Sequence, residues 1–145
     1  MKTPTSLNDN VLYQIGEISR LAHKKITLAF SDKNFPVTVE QFSVLALLWY
    51  KEGVNQQFIA DNLKRNKATI TRIIENMIKT NLIVKVPDQL DKRNKLLFLT
   101  RKGKELQHDM VESSGSVYYE ALENLQEQEI KSILTILKKI TKNLE

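Results

Sequence analysis

FIADNLKRNKATITRIIENMIKTNLIVKVPDQLDKRNKLLFL, residues 58–99, holds two short helix patterns and then two strand patterns around a polar, charged loop. Within residues 70–82 the apolar side chains Ile70, Ile73, Ile74, Met77 and Ile78 recur at helical spacing and form one greasy face. The opposite face carries Ala68, Arg72, Glu75 and Lys79, with Lys67 and Thr71 flanking it. Lys64, Arg65 and Asn66 separate this helix from a shorter one over residues 56–63, and Asn66 is a natural N-cap, because its side-chain carbonyl can accept an orphan N–H of the first turn. Two helices meeting across so short a turn make a helix-turn-helix, whose second helix can enter a DNA major groove. Residues 82–86 and 95–99 are β-rich, and the segment between them has turn chemistry, so a hairpin follows directly on the second helix as a wing.

The same stretch concentrates charge. From Lys64 to Lys104 there are twelve Lys/Arg and three Asp/Glu, a net of +9 in a chain whose total is +5, which leaves −4 for everything else. A basic module on a mildly acidic scaffold suits binding by counterion release, the alternative being an ordinary solvated basic surface.

A chain of 145 residues is one domain by size, and 41% hydrophobic with 27% charged residues describes a globular protein. No cysteine is present, which excludes disulfides, thiolate metal sites and thiol redox sensing. No apolar run approaches the roughly 18 residues of a membrane span, and the start MKTPTS lacks the apolar core of a secretory signal, so a cytoplasmic location is expected.

Residues 7–30 read as a long helix with Val11, Ile15, Ile18, Ala22 and Ile26 on one stripe. Leu12, Leu21, Leu28 and Phe30 lie off that stripe, so the helix belongs between two surfaces, within one subunit or between subunits. Thr38 and Gln41 form a capping box that opens a helix with Phe42, Leu45, Ala46 and Trp49 on its core face and Gly53 as its left-handed end. Val54 is placed to add a short third strand to the wing, ahead of an Asn55 cap. Thr100 caps the next helix, Gly103 permits a close backbone approach, and one helix is expected to reach about Leu125: four poor helix formers at residues 113–116 leave room for a bend or weak turn, but the apolar phase is kept across them. A last helix follows residues 126–128, with Ile130, Ile133, Leu134, Leu137, Ile140 and Leu144 on one face.

The sequence resembles the MarR family of bacterial winged-helix transcription regulators. The residues that carry the resemblance are Thr69–Arg72 (TITR), Asp91–Arg93 (DKR), Leu99–Gly103 (LTRKG) and Gln41–Leu45 (QFSVL), and the flanking helices fall in the family's order over almost the whole chain. It departs at the helix-turn-helix corner, where the family often has a glycine and an apolar residue and this chain has Lys64 and Arg65. The resemblance implies a mainly α fold with a small β wing and about six helices. It implies a DNA-binding lobe at 33–100, with 1–32 and 101–145 as a helical dimerisation lobe of one 1–145 domain. It further implies control of nearby genes, usually repression, relieved by a small molecule.

Candidate DNA contacts are Lys64, Arg65, Asn66, Lys67, Ala68, Thr69, Thr71 and Arg72 at the corner and second helix, with Asp91, Lys92, Arg93 and Lys95 in the wing. The Arg72 guanidinium can fork onto guanine O6 and N7, contact phosphate, or remain a solvated charge. Thr69 and Thr71 suit either bases or phosphates. By the resemblance, Arg93 enters the minor groove with Asp91 positioning it, where a narrow A·T-rich groove offers enhanced negative potential; otherwise the two are an exposed ion pair. Lys92 and Lys95 add phosphate attraction blind to sequence. The expected partners are double-stranded DNA, a second copy of the chain, and a small aromatic acid effector. The resemblance places that effector's cleft where dimer platform meets winged domain, drawing on His23, Phe42, Trp49 and Met110, although Trp49 also suits the core and His23 a surface or interface. His23 and His108 stand 85 residues apart with no metal-ligand spacing, so neither catalytic residues, a metal nor a cofactor is expected. A winged-helix module for protein partners is the alternative, and an enzyme on the same helices is a further one.

Overall fold

The computed structural model describes residues 2–145. Helix α1 (Val11–Asp32) is followed by α2 (Val39–Tyr50), α3 (Gln56–Leu63), α4 (Lys67–Lys79), strands β1 (Ile83–Pro87) and β2 (Lys95–Leu99), and helices α5 (Arg101–Glu105), α6 (Gln107–Ala121) and α7 (Glu127–Leu144). Only Leu106 separates α5 from α6, so the described residues form six helical rods and one antiparallel hairpin. The sequence expectation of a mainly helical winged fold is therefore correct. None of the described helices is long and apolar enough to cross a membrane.

Local signals set most boundaries. Asn10 caps α1 by accepting the Tyr13 N–H, so the helix starts four residues later than expected and ends two later. Thr38 and Gln41 form the reciprocal capping box at 3.1 and 3.0 Å. Helix α2 ends at Tyr50, not at Gly53. Gly53 (φ 70°) instead turns the chain into Val54, close enough to Phe98 that a Cβ would sit 3.3 Å from its ring. Val54 forms a single bridge to Leu97, not a strand. Residues 113–116 are continuous helix, as the reading of one unbroken helix there requires, with Ser113 and Val117 buried; the helix ends at Ala121, short of the expected Leu125, and a turn residue at Leu106 divides its first turn from the rest.

The core gathers Val44, Leu45 and Leu48 of α2, Ile59 of α3, Ile70, Ile73, Ile74 and Met77 of α4, and Ile83, Leu97 and Leu99 of the hairpin. Ala46, expected on the core face, is exposed, because the buried stripe of α2 runs through Val44 and Leu48. Outside this core the terminal helices are bare. Val11, Leu12, Ile18, Leu21 and Leu28 of α1 are exposed, and among the described residues none of α7 is buried.

Candidate nucleic-acid interface

The helix-turn-helix corner begins at Lys64, left-handed at φ 51° and ψ 46°, a conformation that favours glycine. Arg65 N–H returns to Ala60 O at 3.1 Å, and Asn66 Oδ1 accepts the Thr69 N–H at 2.8 Å, as its capping role requires. These bonds present Lys67 and Ala68 on an exposed first turn, with Thr69 half-buried beneath. Thr71 is already engaged: its hydroxyl donates to Lys67 O at 2.8 Å and accepts from the Gln56 amide of α3. It therefore ties the two helices of the motif together, a role the sequence does not signal.

Two cations of this face have carboxylate partners from distant segments. Arg72 Nη2 lies 3.7 Å from Glu40 Oε2 on α2, and Lys64 Nζ lies 2.7 Å from Glu145 Oε1 beyond α7. The hydrogen bond from the Lys64 ammonium holds the Glu145 carboxyl below the usual carboxylate range, with Coulombic attraction adding to it. Neither partner was foreseen, since nothing local links residues so far apart.

In the wing the partner is local. Asp91 Oδ1 accepts both the Arg93 N–H at 3.1 Å and its Nε–H at 3.2 Å, leaving the Arg93 side chain 92% exposed. Asp88 N–H donates to Asn94 O, and Asn94 N–H to Asp91 O, both at 2.9 Å, closing the loop. Lys92 and Lys95 are exposed. The hairpin is joined to the body by Gly53 N–H on Leu97 O at 2.9 Å and Leu97 N–H on Val54 O at 2.8 Å. Its junction with α4 is tight. Thr100 Oγ1 donates to Asn81 O at 2.7 Å, Lys102 Nζ donates to Thr80 O at 3.1 Å, and a Cβ on Gly103 would lie 2.3 Å from Leu82 O.

The four effector candidates do not line one cavity. Phe42 packs edge-on between Phe30 and Trp49, with ring centroids 5.2 and 5.8 Å away. Trp49 Nε1 donates to Gly103 O at 2.9 Å, and Met110 is fully buried. His23 is exposed and lines a cleft of about 210 Å³ with Glu40, Ser43, Arg65, Thr69 and Ile73. That cleft draws on α1, α2, the corner and α4, which explains why spacing along one helix did not reveal it. On α6, His108, Asp109 and Glu112 bring ligand atoms within 4.8 Å of one another, all three exposed.

A helix-turn-helix closed by a rigidly joined wing, with its cations on the second helix and the wing loop, defines a winged-helix DNA-binding protein. Residues 37–95 match the family described as MarR family. The chain is 29% identical to the HTH-type transcriptional regulator YybA of Bacillus subtilis (strain 168), over 96% of this chain and 91% of that one. A MarR family transcriptional regulator from Listeria monocytogenes, solved complexed with 26mer DNA, is 31% identical with a TM-score of 0.82, covering 93% of this chain and 89% of that one. CouR from Rhodococcus jostii RHA1, solved bound to p-coumaroyl-CoA, shares the fold with a TM-score of 0.83 at 22% identity, covering 94% and 95% of the two chains. The chain belongs to the MarR family, and like its relatives it is a DNA-binding transcriptional regulator, not an enzyme.

Proposed function

We propose that the protein is a sequence-specific repressor that binds a pseudo-palindromic operator as a homodimer and releases it when a small aromatic acid binds. The observation that carries the dimer is the bare apolar arm. A groove of about 550 Å³ is lined by Val11, Ile15 and Ile18 of α1, Tyr118 and Ala121 of α6, Leu122 just beyond it, and the apolar face of α7. Exposed apolar surface of this extent calls for a partner, and two-fold symmetry would set two copies of α4 about one DNA turn, ~34 Å, apart.

In this reading residues 33–100 form the DNA lobe and the remaining segments the dimer lobe. Lys64–Thr69, Thr71 and Arg72 face the major groove, with Arg72 reading a guanine. Arg93, oriented by Asp91, enters the minor groove, and Lys92 and Lys95 meet phosphates. The effector occupies the cleft beside His23, where Arg65 offers a cation and Thr69 a hydroxyl. Phe42 and Trp49 pack against the core that holds Met110, and in this reading occupancy of the cleft reaches them through that core. CouR supports this in one respect, as a protein of the same fold that holds a small molecule.

Sedimentation and DNA titration test the proposal together. A dimer at micromolar concentration that binds one duplex, with log K falling steeply against log salt, is the expected result. A stable monomer, or binding indifferent to salt, contradicts it. Salicylate is expected to release the DNA while changing Trp49 fluorescence over the same concentration range.

A further inference from the structure

We propose that Leu90 is a DNA-contacting residue: it enters the minor groove beside Arg93 and packs its side chain on the deoxyribose walls. This rests on the reading of Arg93 as a minor-groove residue. Leu90 is 97% exposed, more than any other large apolar side chain among the described residues. A lone exposed leucine on a helix flank needs no partner. This one stands in the wing loop, three residues before Arg93, and every other side chain from Asp88 to Asn94 is polar or charged. No apolar neighbour within the loop can cover it, and its backbone is fixed. Leu90 N–H donates to Asp88 Oδ1 at 3.0 Å, within the loop that Asp88 N–H closes on Asn94 O and Asn94 N–H on Asp91 O, both at 2.9 Å. The base of the loop is tied to the body, where Asn55 Nδ2 donates to Asn94 Oδ1 at 3.5 Å.

The occupant follows from the surroundings. Lys85, Lys92, Arg93 and Lys95 outnumber Asp88 and Asp91 on the hairpin, so the loop attracts a polyanion. A minor groove is about 6 Å wide, and its walls are the C–H edges of sugars. A slot that admits the Arg93 side chain therefore offers Leu90 an apolar lining, as apolar side chains find in other minor-groove complexes. Arg93 supplies charge, whose worth falls with salt; Leu90 supplies burial, which releases no counterion. Complete burial of a leucine is worth about 10- to 150-fold, and groove walls cover it in part, so about three- to tenfold is expected.

The test uses a duplex enriched by the native protein from a random-sequence pool, titrated across a salt series. Leu90→Ala is expected to weaken binding about three- to tenfold at every salt, with the slope of log K unchanged. On a mixed-sequence duplex of equal length, held mainly by phosphate contacts, the loss should be smaller. Leu90→Met keeps the apolar bulk and should bind within about twofold of the native protein. Arg93→Ala should also weaken binding, but with a slope shallower by about 0.9. Val86→Ala, on the hairpin stem at 43% exposure, should bind as the native protein does. Native affinity in Leu90→Ala alongside a loss in Arg93→Ala would overturn the proposal and leave the wing reading standing. So would a loss from Leu90→Ala that also flattens the salt slope, because Leu90 would then act through the placement of a charge. An equal loss from Val86→Ala would assign the effect to hairpin folding and overturn it as well. Native affinity in both Leu90→Ala and Arg93→Ala would remove the wing reading on which the proposal stands. Thermal midpoints should match across the Leu90 variants, since so exposed a side chain supports no packing in the free protein.

Discussion

The recognition helix and the wing each carry an arginine beside a carboxylate, and they are built in opposite ways. In the wing, Asp91 and Arg93 share one turn, so the pair travels as a unit whatever the hairpin does. On α4, Arg72 meets Glu40 only because α2 and α4 share a core, so this pair reports the packing of the lobe. Support differs in the same sense. Helix α4 sinks Ile70, Ile73, Ile74 and Met77 into the core, whereas β1 buries Ile83 alone and leaves Val84 and Val86 on an open face. A rigid element suits hydrogen bonds that must match base edges; a lighter one suits a charge that follows groove width.

The contrast breaks most readily in the scaffold. Ile74→Ala should lower stability by ~2–5 kcal/mol in urea titrations, the range for emptying a fully buried site. Val84→Ala, on the 40% exposed outer face of the wing, should cost less than about 1 kcal/mol. Similar losses would mean that the wing is as deeply anchored as the helix. Gly103→Ala attacks the joint between them. The added methyl would lie 2.3 Å from Leu82 O, a backbone atom that cannot swing aside, and a cost of ~1–3 kcal/mol is expected by thermal unfolding.

Binding sharpens the comparison further. Arg72→Ala should cost ~1–3 kcal/mol on an enriched duplex and relax preference at one position per half-site. Lys92→Ala should weaken all duplexes alike and make the slope of log K against log salt shallower by about 0.9. A uniform loss from both would remove the division of labour between helix and wing.

What was legible in the sequence was local. Asn66, the Thr38–Gln41 box and Thr100 with Gly103 each act over four residues and stand where expected, and the two strand patterns, five residues each, lie within one residue of their expected bounds. Lys64 takes the left-handed corner despite its side chain. Four features depend on tertiary packing and left no local trace: the exposure of Ala46, the break at Leu106, and the partners Glu40 and Glu145. The effector candidates failed to converge for a related reason. Phe42, Trp49 and Met110 satisfy the core, while the open cleft is shared among polar side chains from four segments.

The most direct test of the account is the affinity of the intact protein for enriched and mixed-sequence duplexes across a salt series. The account predicts a steep slope on both probes, from phosphate contacts. It also predicts an enriched duplex with two-fold-related half-sites about one turn apart, bound at least ~10³-fold more tightly than mixed sequence. Equal affinity for the two duplexes, or binding that ignores salt, would contradict it.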